Sequence, residues 1–257
     1  MLNFNDLFAG EGFFKAANYG LLILCAIVLF MIGKNFLNTK ITKRILLILV
    51  LADVIFLFLN LIFKGNFLIE KDRTYPEIFR YLETLACSAF LWKMSLKSKS
   101  QMLASFSIFF ILLFIDDCFT LHENIGFLMS GTAIATAGSN ILHVRSNDVG
   151  EMAYFLMLGV FFLSVGIYSY CKEKVLWNRS VAEKITKVML LGGFISVGSD
   201  MVNQMLRNTV IAHHFFGLFQ SFSKMLFLSL LPAVCMDLFI QSKNISQQAS
   251  ETTMVSN

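Results

Sequence analysis

The chain has 257 residues, of which 56% are hydrophobic and only 15% charged, with 28 Phe and 2 Pro. That composition excludes a disordered chain and points to a helical protein that crosses a membrane several times. The formal net charge of +4 comes mostly from Lys and Arg between apolar runs, where it reports orientation in a bilayer rather than affinity for nucleic acid.

In chain order, residues 1–20 lack the basic start, apolar centre and small-residue cleavage site of a signal peptide. They read as a short amphipathic lead-in, with Phe4, Leu7, Phe8, Phe13 and Phe14 available to rest at an interface. A span needs about 20 apolar residues. Seven segments qualify: 18–37, 43–66, 78–97, 101–124, 150–171, 185–208 and 211–239. The third is cut into by Lys93 and Lys97, which can snorkel. The longest connection lies between the fourth and fifth segments and includes the small, flexible run 130–139, a lid or a loop. Residues 241–257 are rich in Ser, Gln and Thr and read as a disordered cytoplasmic tail. The sequence therefore predicts one all-α, seven-helix integral membrane domain over 1–240. Its five cysteines fall in or beside apolar runs with no CxxC pair, as buried small hydrophobes do.

Orientation follows from the basic residues. With the N-terminus outside, thirteen Lys and Arg fall in inside loops and the tail, against seven outside, which favours N-out and C-in. No internal repeat of the kind many transporters carry is visible. A bacterial inner or plasma membrane is the expected location, with membrane lipids as the immediate partners.

The polar residues inside these segments carry the functional signal. Asp116, Asp117, His122 and Glu123 follow directly on the apolar run 106–114. A charge at mid-membrane depth costs about 2.5–3.5 kcal/mol on insertion scales. With N-out topology these four, together with Glu83, Glu151, Asp200, His213 and His214, converge on the outer half of the membrane. On a straight helix Asp116, Thr120 and Glu123 share a face and His122 points elsewhere. Ser196, Asp200, Asn203, Gln204 and Arg207 form a stripe on the sixth segment, and Asp53 lies under Asn60 on the second. Lys224 stands near mid-membrane in the last, with Asp200, Glu83 and Asp53 as candidate counter-ions. Asp116, His122, Glu123 and Asp200 supply oxygen and nitrogen ligands suited to a divalent metal ion. Their spacing matches neither Glu-x-x-His nor His-Glu-x-x-His.

Two resemblances add to this reading. Asp116-Asp117 with His122-Glu123 in one helix, Asp200 in a later one and Gln220-Ser-Phe-Ser-Lys224 in the last resembles an uncharacterised family of bacterial polytopic membrane proteins. In that family a Glu/Asp pair precedes the last-helix lysine, where this chain has Gln220 and Ser221. Arg80-Tyr81-Leu82-Glu83 and Lys224 are similar to the third-helix counter-ion and the retinal lysine of microbial rhodopsins. That second resemblance implies Glu83 and Lys224 as cofactor-binding residues, although 188–206 lacks the Trp, Tyr and Pro of a retinal pocket.

Three functions are therefore expected from the residues. The first is a metal-assisted hydrolase or lipid-modifying enzyme in which Asp116, Asp117, Glu123 and Asp200 are catalytic and Asp116, His122, Glu123 and Asp200 hold the ion. The second is a proton- or ion-coupled carrier using Glu83, Asp116, Asp200 and Lys224 as a relay. The third is a retinal protein using Lys224.

Overall fold

The computed structural model describes residues 11–63, 74–132, 146–205 and 210–255. Among them every regular element is a helix: α1 (Glu11–Phe36), α2 (Lys40–Ile62), α3 (Tyr75–Ser98), α4 (Gln101–Phe119), α5 (Leu121–Met129), α6 (Ser146–Lys172), α7 (Leu176–Met205) and α8 (Val210–Val255). The described part of each of the seven apolar segments falls on a helix, and the fourth falls on two, because the chain breaks between α4 and α5. Within the described residues four stretches are long and apolar enough to cross a membrane: Asn18–Phe36, Gln101–Phe119, Val149–Lys172 and Phe216–Asn244. The flexible run read as a lid lies outside the described residues from 133 onward. The backbone of α8 is helical as far as Val255. Adding residues to an existing helix is easy because the costly nucleation is already complete.

The contacts divide the chain into two compact units, one formed by residues 1–83 and 188–237 and the other by 84–187 and 238–257. In the first unit α2 shows how an apolar helix hides polar groups. Thr42, Leu46, Val50, Asp53 and Leu57 recur every three or four residues and are all buried, so Asp53 sits in the middle of the inward stripe. Ile48 and Ile55, on the opposite face, are 63% and 57% exposed. Gly192 on α7 lets the Phe227 ring of α8 lie against its backbone; a Cβ there would meet the ring at 2.1 Å.

The start of α2 is capped twice. Thr39 accepts the Thr42 N–H at 3.3 Å. Asp237 of α8 accepts the Asn38 and Thr39 N–H groups at 3.0 and 2.9 Å and the Thr42 hydroxyl at 2.8 Å. A buried carboxylate with three donors, at the positive end of a helix, is satisfied in place.

In the second unit α3 and α4 are joined by the buried Ser88 and Ser107, whose hydroxyl oxygens lie 2.9 Å apart and each within 3.1 Å of the other's backbone carbonyl, so that their two hydrogens are shared among three short contacts. Small side chains at this crossing let the two backbones approach. At the N-terminus of α4, Ser100 accepts the Leu103 N–H and donates its single proton to Glu173, which also accepts the Val175 N–H at 3.1 Å.

Candidate functional site

The site is built on the break between α4 and α5. Thr120 adopts φ 47° and ψ 44°, a left-handed conformation that a β-branched residue reaches at a cost of about 1–2 kcal/mol. The break is held from both sides. The Asn124 side-chain amide donates to the Phe119 and Thr120 carbonyls at 3.2 and 3.0 Å, and the Thr120 carbonyl also accepts the Asn124 backbone N–H at 3.1 Å. On the other side, Thr120 makes no side-chain cap bond to α5. Asp116 takes that role: its Oδ1 accepts the His122 backbone N–H at 2.9 Å.

Its other oxygen, Oδ2, lies 3.0 Å from His122 Nδ1. In the tautomer whose Nδ1 donates to that carboxyl oxygen, Nε2 is left for a ligand. A straight helix would have pointed His122 away from Asp116, and the break at Thr120 reverses that expectation. Residues six apart in sequence meet because the chain turns between them.

Asp116 is 1% exposed, while Asp117 and His122 are half-buried. The three offer ligand atoms that all lie within 4.8 Å of one another. From α6, the Tyr154 hydroxyl is within hydrogen-bonding reach of Asp116. Glu151, one turn before it, lies within electrostatic range of His122. The Phe155 ring packs on the imidazole, centroids 5.2 Å apart.

Two glycines bring α6 this close. A Cβ on Gly126 of α5 would sit 2.5 Å from Glu151 Cγ, and one on Gly150 of α6 would sit 2.5 Å from the Gly126 carbonyl oxygen. The helices therefore touch backbone to backbone, and Glu151 follows directly on the contact.

The remaining residues singled out in the sequence are placed as follows. Glu123 is exposed and is not one of the three grouped ligands. The backbones of Ser196, Asp200 and Gln204 lie in α7 and those of His213 and His214 in α8, but their side chains, like the whole of Arg207, are outside the described residues. Asp200 also belongs to the first unit, whereas Asp116 belongs to the second. Lys224 is half-buried on α8 and makes no ion pair among the described residues. Glu83 and Asp53, its candidate partners, are both hydrogen-bonded to Ser229. Arg80 pairs with Glu77 at 3.6 Å.

Tyr154 and Ser229 escaped the sequence reading. A tyrosine three residues after Glu151 puts both on one helix face, which was a usable signal. A lone serine in the run 225–231 carries none, because small residues in such helices are ordinarily packing.

No family model, no curated protein and no solved structure matches this chain.

Proposed function

We propose that the chain is a seven-span membrane protein, N-out and C-in, of a bacterial inner or plasma membrane, whose α4–α5 break binds a divalent metal ion for hydrolytic chemistry on a lipid or lipid-like substrate. The observation that carries the reading is the Asp116–His122 pair. A buried carboxylate fixes the Nδ1 side of an imidazole whose Nε2 is left for an ion, with the Asp117 carboxylate in the same group. That is the arrangement by which proteins orient a histidine for metal and raise its basicity. Oxygen and imidazole donors together suit a borderline or hard divalent cation such as Zn²⁺ or Mn²⁺. A bound divalent ion of this kind activates water near neutral pH and polarises an ester or amide carbonyl. Tyr154 supports Asp116, and Glu151 is the carboxylate from α6 placed to accept a proton from the attacking water. The Phe155 ring and the exposed apolar face of α6 (Leu156 69%, Leu163 56%) give a lipid chain an approach from the bilayer side.

Elemental analysis of the detergent-purified protein tests this. Stoichiometric metal is expected, lost in His122→Ala, bound about 10- to 100-fold more weakly in Asp116→Asn, and kept in Glu123→Gln. Metal-dependent release of acyl chain or headgroup from a panel of ester- and amide-linked lipids should follow the same order. A wild-type protein that takes up no divalent ion, even when Zn²⁺ or Mn²⁺ is supplied, refutes the reading and leaves proton-coupled transport as its replacement.

A further inference from the structure

The first unit holds a second group of ionisable side chains that the α4–α5 site does not use. Asp53 of α2 and Glu83 of α3 are 0% and 4% exposed, and Ser229 of α8 is fully buried between them. The Ser229 hydroxyl oxygen lies 2.7 Å from Asp53 Oδ2 and 2.6 Å from Glu83 Oε1. Both distances are those of good O–H···O hydrogen bonds.

A serine hydroxyl owns one hydrogen. It can donate to one carboxyl, and its second short contact needs a donor from the other side. That donor can only be the O–H of the second carboxyl group. Two ionised carboxylates would instead share one donor in a dry site, leaving a like-charge pair close together and one short oxygen–oxygen contact without a hydrogen. The bridge thus contains one acid proton more than two carboxylates would.

Two further observations separate this arrangement from a closed structural network. Asp53 Oδ1 and Glu83 Oε2 are both buried without a hydrogen-bond partner among the described residues. Because the two oxygens of a carboxyl share one carbon, these open acceptors sit beside the bridge. Buried polar networks kept only for packing are satisfied throughout, and open acceptors are where a proton or a water is received. The charged groups nearby are few. Arg80, one turn earlier on α3, acts electrostatically on both acids, and Glu77 shares its guanidinium. Lys224 lies about 140° round α8 from Ser229 and pairs with neither acid among the described residues.

We propose that Asp53, Ser229 and Glu83 form an exchangeable one-proton site within α2, α3 and α8. The proton passes by paired transfer. As the Glu83 O–H breaks and its proton joins Ser229 Oγ, the original Ser229 O–H breaks and its proton joins Asp53 Oδ2. The serine ends neutral, one carboxyl has gained the proton the other lost, and no net charge has moved except between the two acids. Exchange with water occurs through the open oxygens. This site does not depend on metal at Asp116 and stands or falls separately from it.

Infrared absorption of the full-length protein in lipid nanodiscs tests the proposal through the C=O stretch of a protonated carboxyl. At neutral pH the wild type should show such a band. It should vanish or move in Asp53→Asn, in Glu83→Gln and in Ser229→Ala, and stay in Asp116→Asn. The first two substitutions are isosteric, and retained helical circular dichroism identifies folded variants. On transfer to D2O the band should shift, and on raising the pH it should titrate away by one carboxyl equivalent. A wild type with no band, or a band untouched by the Asp53, Glu83 and Ser229 variants, overturns the shared proton. A band assigned to these residues that neither shifts in D2O nor titrates overturns the exchange.

Discussion

Replacing Gly150 with alanine tests whether α5 and α6 meet backbone to backbone. The added methyl group would lie 2.5 Å from the Gly126 carbonyl oxygen, 2.9 Å from its Cα and 3.1 Å from its carbonyl carbon. All three obstacles are main chain, so no rotamer change relieves them. Reaching an ordinary C···O contact of about 3.3 Å requires the helices to part by about 0.8 Å. Overpacking of this kind costs about 1–3 kcal/mol. Gly159→Ala on the same helix is the internal control, because nothing lies within 4 Å of its added Cβ. Both substitutions gain the same helix propensity, about 0.5–1 kcal/mol over glycine, so that term cancels in their difference. Gly150→Ala should therefore be less stable than Gly159→Ala by the full overpacking energy. The assay is reversible unfolding in mixed detergent micelles. Gly126→Ala should fall between the two, since its closest obstacle is the movable Glu151 side chain. Equal stability of the Gly150 and Gly159 variants would refute the close contact. It would also remove the reason for placing Glu151 beside His122.

Two further outcomes follow from local geometry. Thr120→Gly should raise stability by up to about 1 kcal/mol, because relief of the left-handed strain exceeds the added chain entropy of glycine, and thermal unfolding reads it directly. The Glu173 carboxyl is exposed to a pH test of defined sign. Partial burial pushes its pKa up, but the Ser100 hydroxyl and the Val175 backbone N–H outweigh that and hold it below the usual value. A group depressed in the folded state stabilises above its unfolded pKa, about 4.3, and loses that contribution as the pH falls through the folded value. The stability gap between wild type and Glu173→Gln should accordingly be constant near neutrality and close below about pH 4.

How much of this was legible in the sequence depends on what each residue had to contend with. The apolar runs were readable because their length and composition set them apart from the polar residues between them, and the described part of each lies on a helix. Asp116 was readable as well, since a carboxylate directly after the eight apolar residues 108–115 is conspicuous. The break at Thr120 was not. Glycine and proline announce such turns, whereas threonine is held in this one by two links across it, Asp116 to His122 and Asn124 to the Phe119 carbonyl. Missing the break misdirects the helical phase, which is why Glu123 looked to share the face of Asp116 and His122 to point elsewhere, although both were read as ligands. Ser229 was invisible because its role comes from two acids on other helices, 176 and 146 residues away, and no local pattern encodes that.

The cap supplied by Asp237 has a consequence for how the protein is made. It closes on Asn38 and Thr39 across 199 and 198 residues of sequence. A ribosome adds about 5–20 residues per second, so the first helical hairpin waits roughly 10–40 s for the carboxylate that completes its turn. During that interval the polar start of α2 is exposed to whatever surrounds the nascent chain. The early helices therefore emerge in an unfinished state that the last helix, when it arrives, makes permanent.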